Sequence, residues 1–159
     1  MSGPHLTLTL NSEEDTARLG QRMAQLLKPG DVLLLQGPVG AGKTFFARSL
    51  ILSLLSKPED VPSPTFTLVQ TYETPAFDIW HCDLYRLTCP EEVLELGLEN
   101  AMDSAVCLIE WPERLGGFTP DKALTLTFET GDGENCRNVT LSSTDPRWNT
   151  RVETVHDLS

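Results

Sequence analysis

Four residues in one short stretch carry the strongest chemical signal. Gly37, Gly42, Lys43 and Thr44 stand at the fixed places of G-x-x-x-x-G-K-[ST], with Pro38, Val39, Gly40 and Ala41 between them. Gly40 and Gly42 lack Cβ, so the main chain can approach phosphate oxygens closely, and successive N–H groups can point inward as an anion nest. Lys43 is placed to neutralise β- and γ-phosphates, and Thr44 to offer its hydroxyl to Mg²⁺. The neighbouring sequence has the required order. The apolar run 32–35 reads as a buried strand, and a helical pattern starts at Lys43, bringing the positive end of its dipole to the loop.

Such a loop needs a carboxylate beside its metal, at the end of a neighbouring strand. Two runs supply one: 77–83 ends in Asp83, and the continuous apolar run 105–110 ends in Glu110. In an open α/β sheet both would project into the crevice at the C-terminal strand edge, where the loop also lies. One would hold the metal and the other would orient the attacking water. The more apolar strand favours Glu110 as the metal-side acid, whereas Asp83 could equally cap the helix that starts nearby. Arg86 could reach phosphate or form a surface ion pair. Lysine occurs only at 28, 43, 57 and 122, and no N-K-x-D element is formed, so ATP rather than GTP is expected. Pro58, Pro62 and Pro64 forbid a regular helix after the loop's own helix. Ser63, Thr65 and Thr67 follow there, either as a nucleotide-sensing switch or in a rigid connection. A P-loop small-molecule kinase is the alternative, but Arg86, Arg114 and Arg137 are scattered and no lid-sized insertion is present.

The elements that must position these groups follow from the pattern. Residues 6–10 alternate as a half-buried strand, and Asn11 or Ser12 can cap a helix whose first turn carries Glu13, Glu14 and Asp15. Strands are predicted at 68–72, 77–83 and 105–110, with short helices at 90–97 and 98–102. Residues 123–129 and 137–141 alternate around a Gly/Asp-rich turn and predict a β-hairpin. The reading is a P-loop NTPase fold, three-layer α/β/α, with a central, mostly parallel sheet. Residues 1–145 form the domain, and 146–159, polar and with little periodicity, form a tail expected to fray.

Composition narrows the function. A net charge of −11 argues against direct binding of a polyanion, so any service to nucleic acid would pass through a partner with a basic surface. Cys82, Cys89, Cys107 and Cys136 make no C-x-x-C pair and read as reduced thiols. No signal-peptide pattern and no membrane-length apolar run is present, so a cytoplasmic protein without membrane association is expected.

Five motifs in order resemble one family. They are the loop 37–44; Pro62-Ser63-Pro64-Thr65-Phe66-Thr67-Leu68-Val69; His81-Cys82-Asp83-Leu84-Tyr85-Arg86-Leu87; Glu91-Glu92 ahead of Leu96-Gly97; and Leu108-Ile109-Glu110-Trp111-Pro112. Together they resemble the TsaE (YjeE) family of bacterial ATPases needed for threonylcarbamoyladenosine in tRNA, over about residues 6–141. The resemblance implies weak ATPase activity with ATP and Mg²⁺, coupled to a TsaD–TsaB complex that modifies adenosine 37 of tRNAs reading ANN codons, with tRNA met only through those partners. It implies that Lys43 binds phosphate, that Thr44 and Glu110 serve the metal, and that Asp83 acts on metal or water. Ser63 and Thr65 would be switch hydroxyls, and Trp111 would belong to a second switch. The base would sit between Glu13 and Arg137. The nucleotide-binding set is then Glu13, Gly37, Val39, Gly40, Ala41, Gly42, Lys43, Thr44, Phe45, Thr65 and Arg137.

Overall fold

Two strands whose side chains are apolar on both faces form the centre of the molecule. A computed structural model describes residues 5–38, 42–55, 61, 68–131 and 136–158. Strand β2 (Val32–Gln36) lies parallel to β5 (Val106–Glu110), with Leu33 opposite Leu108 and Leu35 opposite Glu110. Successive side chains of a strand point to opposite faces. Leu33, Leu35, Val106 and Leu108 therefore enter one core, and Val32, Leu34, Cys107 and Ile109 the other. Both faces need a helical cover, and three layers result.

The remaining strands are β1 (His5–Leu10), β3 (Val69–Glu73), β4 (Asp78–Asp83), β6 (Leu124–Thr130) and β7 (Arg137–Ser142), giving a seven-stranded sheet of order β1-β7-β6-β2-β5-β4-β3. The four inner strands β6, β2, β5 and β4 run parallel, and antiparallel partners flank them on both sides. The 123–141 region forms the expected hairpin, β6 against β7, and β1 joins it with Leu8 opposite Val139.

On one face lie α1 (Glu13–Ala24) and α2 (Lys43–Leu54), contributing Leu19, Met23, Phe46, Leu50 and Ile51 to the core. Ser12 caps α1 by accepting the Asp15 N–H at 3.1 Å, as its position predicts. The other face carries α3 (Glu92–Glu95), α4 (Leu98–Ser104) and a 3-10 segment, Pro112–Phe118, around Val93, Leu98, Met102 and Leu115. Among the described residues no helix is long and apolar enough to cross a membrane.

The last segment departs from expectation. Residues predicted to fray form a 3-10 turn, Pro146–Trp148, followed by α5 (Asn149–Leu158). Trp148, Val152 and Val155 are buried in the α1/α2 core. They stand at i, i+4 and i+7, one face of a helix, and the polar residues between them mask that spacing. The Trp148 indole N–H donates to the Lys122 carbonyl at 2.8 Å. Arg151 donates to Asp31 at 2.6 Å, and Arg147 lies 3.5 Å from the same carboxylate. Asp31 is only 1% exposed and also accepts the Lys28 N–H at 2.7 Å. The C-terminal helix is thus fastened at the end of β2 remote from the phosphate loop.

Candidate functional site

The chain leaves β2 through Gly37, whose φ of 138° is a conformation that L side chains rarely adopt. A Cβ there would run into the Phe128 carbonyl oxygen, so β6 presses directly on the start of the loop. Val39, Gly40 and Ala41 lie outside the described residues. The chain resumes at Gly42, left-handed at φ 101°, as the N-cap of α2. The two long N-termini differ. The first turn of α1 is capped by Ser12 and loaded with three acids, whereas α2 has no side-chain cap and no acid in its first turn. The positive end of α2 is therefore left for an external anion.

Lys43 occupies the first position of α2. It is 4% exposed, and its ammonium makes no hydrogen bond among the described residues. The ammonium lies over the face of Trp111, with Nζ 3.9 Å from the ring centroid. Burial lowers the Lys43 pKa from its usual 10.5, against the opposing pull of Glu110, Glu113 and Asp83. A buried ammonium without a polar partner is costly in an isolated protein and well suited to receive phosphate. Since the folded pKa lies below the unfolded one, the cost is fully present below the folded pKa. Stability then rises as pH climbs from there toward 10.5. Lys43→Met is expected to stabilise the protein by about 1 kcal/mol, or roughly 2–4 °C in melting temperature, and to flatten that alkaline rise. Thermal melts across pH check this, and a destabilised Lys43→Met protein would contradict it.

Thr44 and Glu110, 66 residues apart, are brought together because β5 pairs with β2. The Thr44 hydroxyl donates to Glu110 Oε1 at 2.8 Å. Glu110 is 2% exposed, and its Oε2 lies 2.7 Å from His81 Nε2. With its proton committed to Glu110, the Thr44 oxygen retains lone pairs for a cation. Asp83 ends β4 directly opposite Glu110 in the parallel register. Its backbone N–H donates to the Leu68 carbonyl at 2.9 Å, and its Oδ1 accepts the Tyr85 N–H at 3.0 Å. Asp83 thus closes the turn after β4 and does not cap a helix, since the next one begins at Glu92.

Leu68 and Trp111 are the two non-glycine residues with positive φ among the described ones, at 68° and 58°. One supplies the carbonyl that holds Asp83, and the other follows Glu110. Strain of this kind concentrates at functional sites. The Trp111 ring lies against Tyr85, centroids 4.9 Å apart, and Tyr85 is half exposed.

A second cleft, of about 160 Å³, adjoins the start of α2 and is lined by Glu13, Thr16, Gly42, Phe45 and Arg137. Glu13 and Arg137, expected to flank a base, therefore meet in one place although they come from opposite ends of the chain. Ser63, Thr65 and Thr67 lie outside the described residues. The sequence alone singles out His81 only as part of a motif, without a role beside Glu110, and does not single out Thr16. For His81 a signal existed: 81 and 83 are i and i+2 on one strand and so share a face.

The donors present suit a magnesium nucleotide. Among the described residues no group of three or more His, Cys, Asp or Glu side chains could hold a metal by itself. Mg²⁺ commonly takes one or two carboxylates and completes its shell with water and substrate phosphates. The orphaned Lys43 ammonium and the open end of α2 supply the phosphate side of that arrangement.

Comparison with known proteins agrees in extent and fold. Residues 10–139 match the family model described as threonylcarbamoyl adenosine biosynthesis protein TsaE. A Rickettsia bellii protein named tRNA threonylcarbamoyladenosine biosynthesis protein TsaE is 45% identical over 125 residues, 79% of this chain and 87% of that protein. A Bacillus subtilis protein of the same name is 33% identical over 152 residues, 94% of this chain and 93% of its own. The crystal structure of Bacillus subtilis YdiB superposes with a TM-score of 0.82 at 27% identity, covering 99% of this chain and 97% of that one.

Proposed function

The chain belongs to the TsaE family, and from that membership we propose that it is a P-loop ATPase that serves threonylcarbamoyladenosine formation in tRNA through a TsaD–TsaB complex. The observation that carries the reading is the convergence of three groups: the uncapped α2 with its buried Lys43, the Thr44 hydroxyl, and Glu110 on the adjacent strand. ATP would be held by the 37–45 loop region and Lys43, with its base toward the cleft of Glu13, Phe45 and Arg137. Thr44 and Glu110 would hold Mg²⁺, directly or through water. Bound Mg²⁺ supplies charge neutralisation on the phosphate oxygens as the terminal bond is broken.

The protein's own groups do the rest. Lys43 leaves the Trp111 ring when it takes a phosphate, which links the loop to the residue expected to read nucleotide state. Glu110 keeps the Thr44 proton away from the metal side. Asp83, held by the Tyr85 N–H opposite Glu110, would orient the attacking water. A chain of net charge −11 leaves the tRNA contact to its partners.

The test is reconstitution. The purified protein is expected to release inorganic phosphate from γ-labelled ATP slowly when alone. With TsaD and TsaB it should support repeated rounds of modification, and Lys43→Ala should end that support. Undiminished repeated modification with Lys43→Ala would overturn the proposal, and label recovered on a small-molecule product would instead establish a kinase.

A further inference from the structure

His81 is a buried polar residue beside Glu110 that this mechanism leaves without a task. It is fully buried, two residues before Asp83 and on the same face of β4, opposite Leu108 of the core that α1 and α2 cover. Its Nε2 lies 2.7 Å from Glu110 Oε2, and its Nδ1 has no hydrogen-bond partner among the described residues. A proton on Nδ1 would therefore be a buried, unpaired donor, so the ring proton belongs on Nε2, pointing at the carboxylate. An imidazole that only filled space here would carry an unmet nitrogen for no return, since an apolar residue would pack at lower cost.

The effect on Glu110 is specific. A carboxylate bonded to Thr44 alone could rotate about its last torsion and exchange its oxygens. With Oε2 held by His81, Oε1 stays on the Thr44 hydroxyl, whose proton stays on Glu110 and whose oxygen lone pairs stay available to a cation. We infer that His81 is a positioning residue whose Nε2–H locks the Glu110 carboxylate, and through it the Thr44 hydroxyl, in the orientation that a magnesium ion requires. The inference rests on the proposed role of Glu110 beside the metal. Its logic is that of outer-shell donors that orient a metal-binding carboxylate.

The test compares two amides in the full-length protein. Glutamine places an N–H donor at about the reach of Nε2, whereas asparagine stops short of Oε2. The readouts are the Mg²⁺ concentration for half-maximal ATP hydrolysis and the Mg²⁺-dependent tightening of a fluorescent ADP analogue. His81→Asn is expected to raise the Mg²⁺ requirement in both by about 10–100-fold, with analogue affinity in EDTA unchanged, while His81→Gln stays within about threefold of wild type. A wild-type Mg²⁺ requirement in His81→Asn overturns the inference, and so does a His81→Gln protein as impaired as His81→Asn. Should His81→Asn fail to fold, nitrogen NMR of the wild-type ring decides. An Nε2-protonated ring whose signal moves when Mg²⁺ is added to the ADP-bound protein supports the inference, and an Nδ1-protonated or unresponsive ring overturns it. Glu110→Gln in the same titration separates the two levels. If it too leaves the Mg²⁺ requirement unchanged, the metal-side reading of Glu110 has failed. If it alone raises the requirement, only the role of His81 has failed.

Discussion

Glu110→Gln is expected to lower ATP turnover by about 100-fold or more and to raise the Mg²⁺ requirement, in a protein that still folds. Glutamine has nearly the shape of glutamate, and the site is closed, so the packing survives. The hydrogen bonding does not. Glu110 accepts from both sides, from Thr44 at Oε1 and from His81 at Oε2. An amide can accept on one side only. If its oxygen takes the His81 proton, its NH₂ faces Thr44, and the hydroxyl must turn and spend a lone pair on it. That lone pair is the one a cation would use. Asp83→Asn should behave differently. Its Oδ1 accepts from the Tyr85 N–H, and an asparagine oxygen can keep that bond. If Asp83 orients water, turnover falls by roughly 10²-fold while the Mg²⁺ requirement stays put. Steady-state hydrolysis across a Mg²⁺ titration separates the two acids, and the opposite pattern would exchange their roles.

The second large effect lies at the other end of β2. Arg151→Met is expected to destabilise the protein by about 3 kcal/mol, a drop of roughly 6–12 °C in melting temperature. Asp31 is almost wholly buried, and its 2.6 Å partner would be gone. What remains is the Lys28 N–H and the more exposed Arg147 at 3.5 Å. Methionine keeps most of the packing of the arginine stem, so the loss reports the uncompensated carboxylate and the missing contact with Trp148, over which the guanidinium now sits at 4.7 Å. Arg18→Met is the control. Arg18 pairs with Asp15 at 3.1 Å, but the pair is solvated, and a change within about 0.5 kcal/mol is expected. ATP turnover per folded molecule should survive Arg151→Met, because Asp31 precedes β2 and the phosphate loop follows it. A loss of stability as small as the control's would mean that water already serves Asp31.

Much of this protein was written locally. The phosphate loop is a run of neighbours, and its demands, a glycine at positive φ and a helix starting at Lys43, are met within a few residues. Both central strands announced themselves by apolar residues on both faces, and both candidate acids by standing at strand ends. The Ser12 cap followed from a side chain three residues from its partner. These features depend on contacts between near neighbours, so the order of residues determines them directly.

What the tertiary structure decided is which distant residues meet. Glu110 reaches Thr44 across 66 positions, and His81 reaches Glu110 across 29, only because β5 lies between β2 and β4. Strand order is set by the summed burial of two cores, and no local pattern encodes it. The cleft of Glu13 and Arg137, which the family resemblance anticipated, likewise forms where the start of the first helix meets the start of the last hairpin strand. The C-terminal helix is the sharpest case. Its few apolar residues do not suffice to hold a helix alone, and its arginines look like solvent-facing charge. Only the α1/α2 core waiting for Trp148, Val152 and Val155, and the buried Asp31 waiting for Arg151, turn that segment into structure.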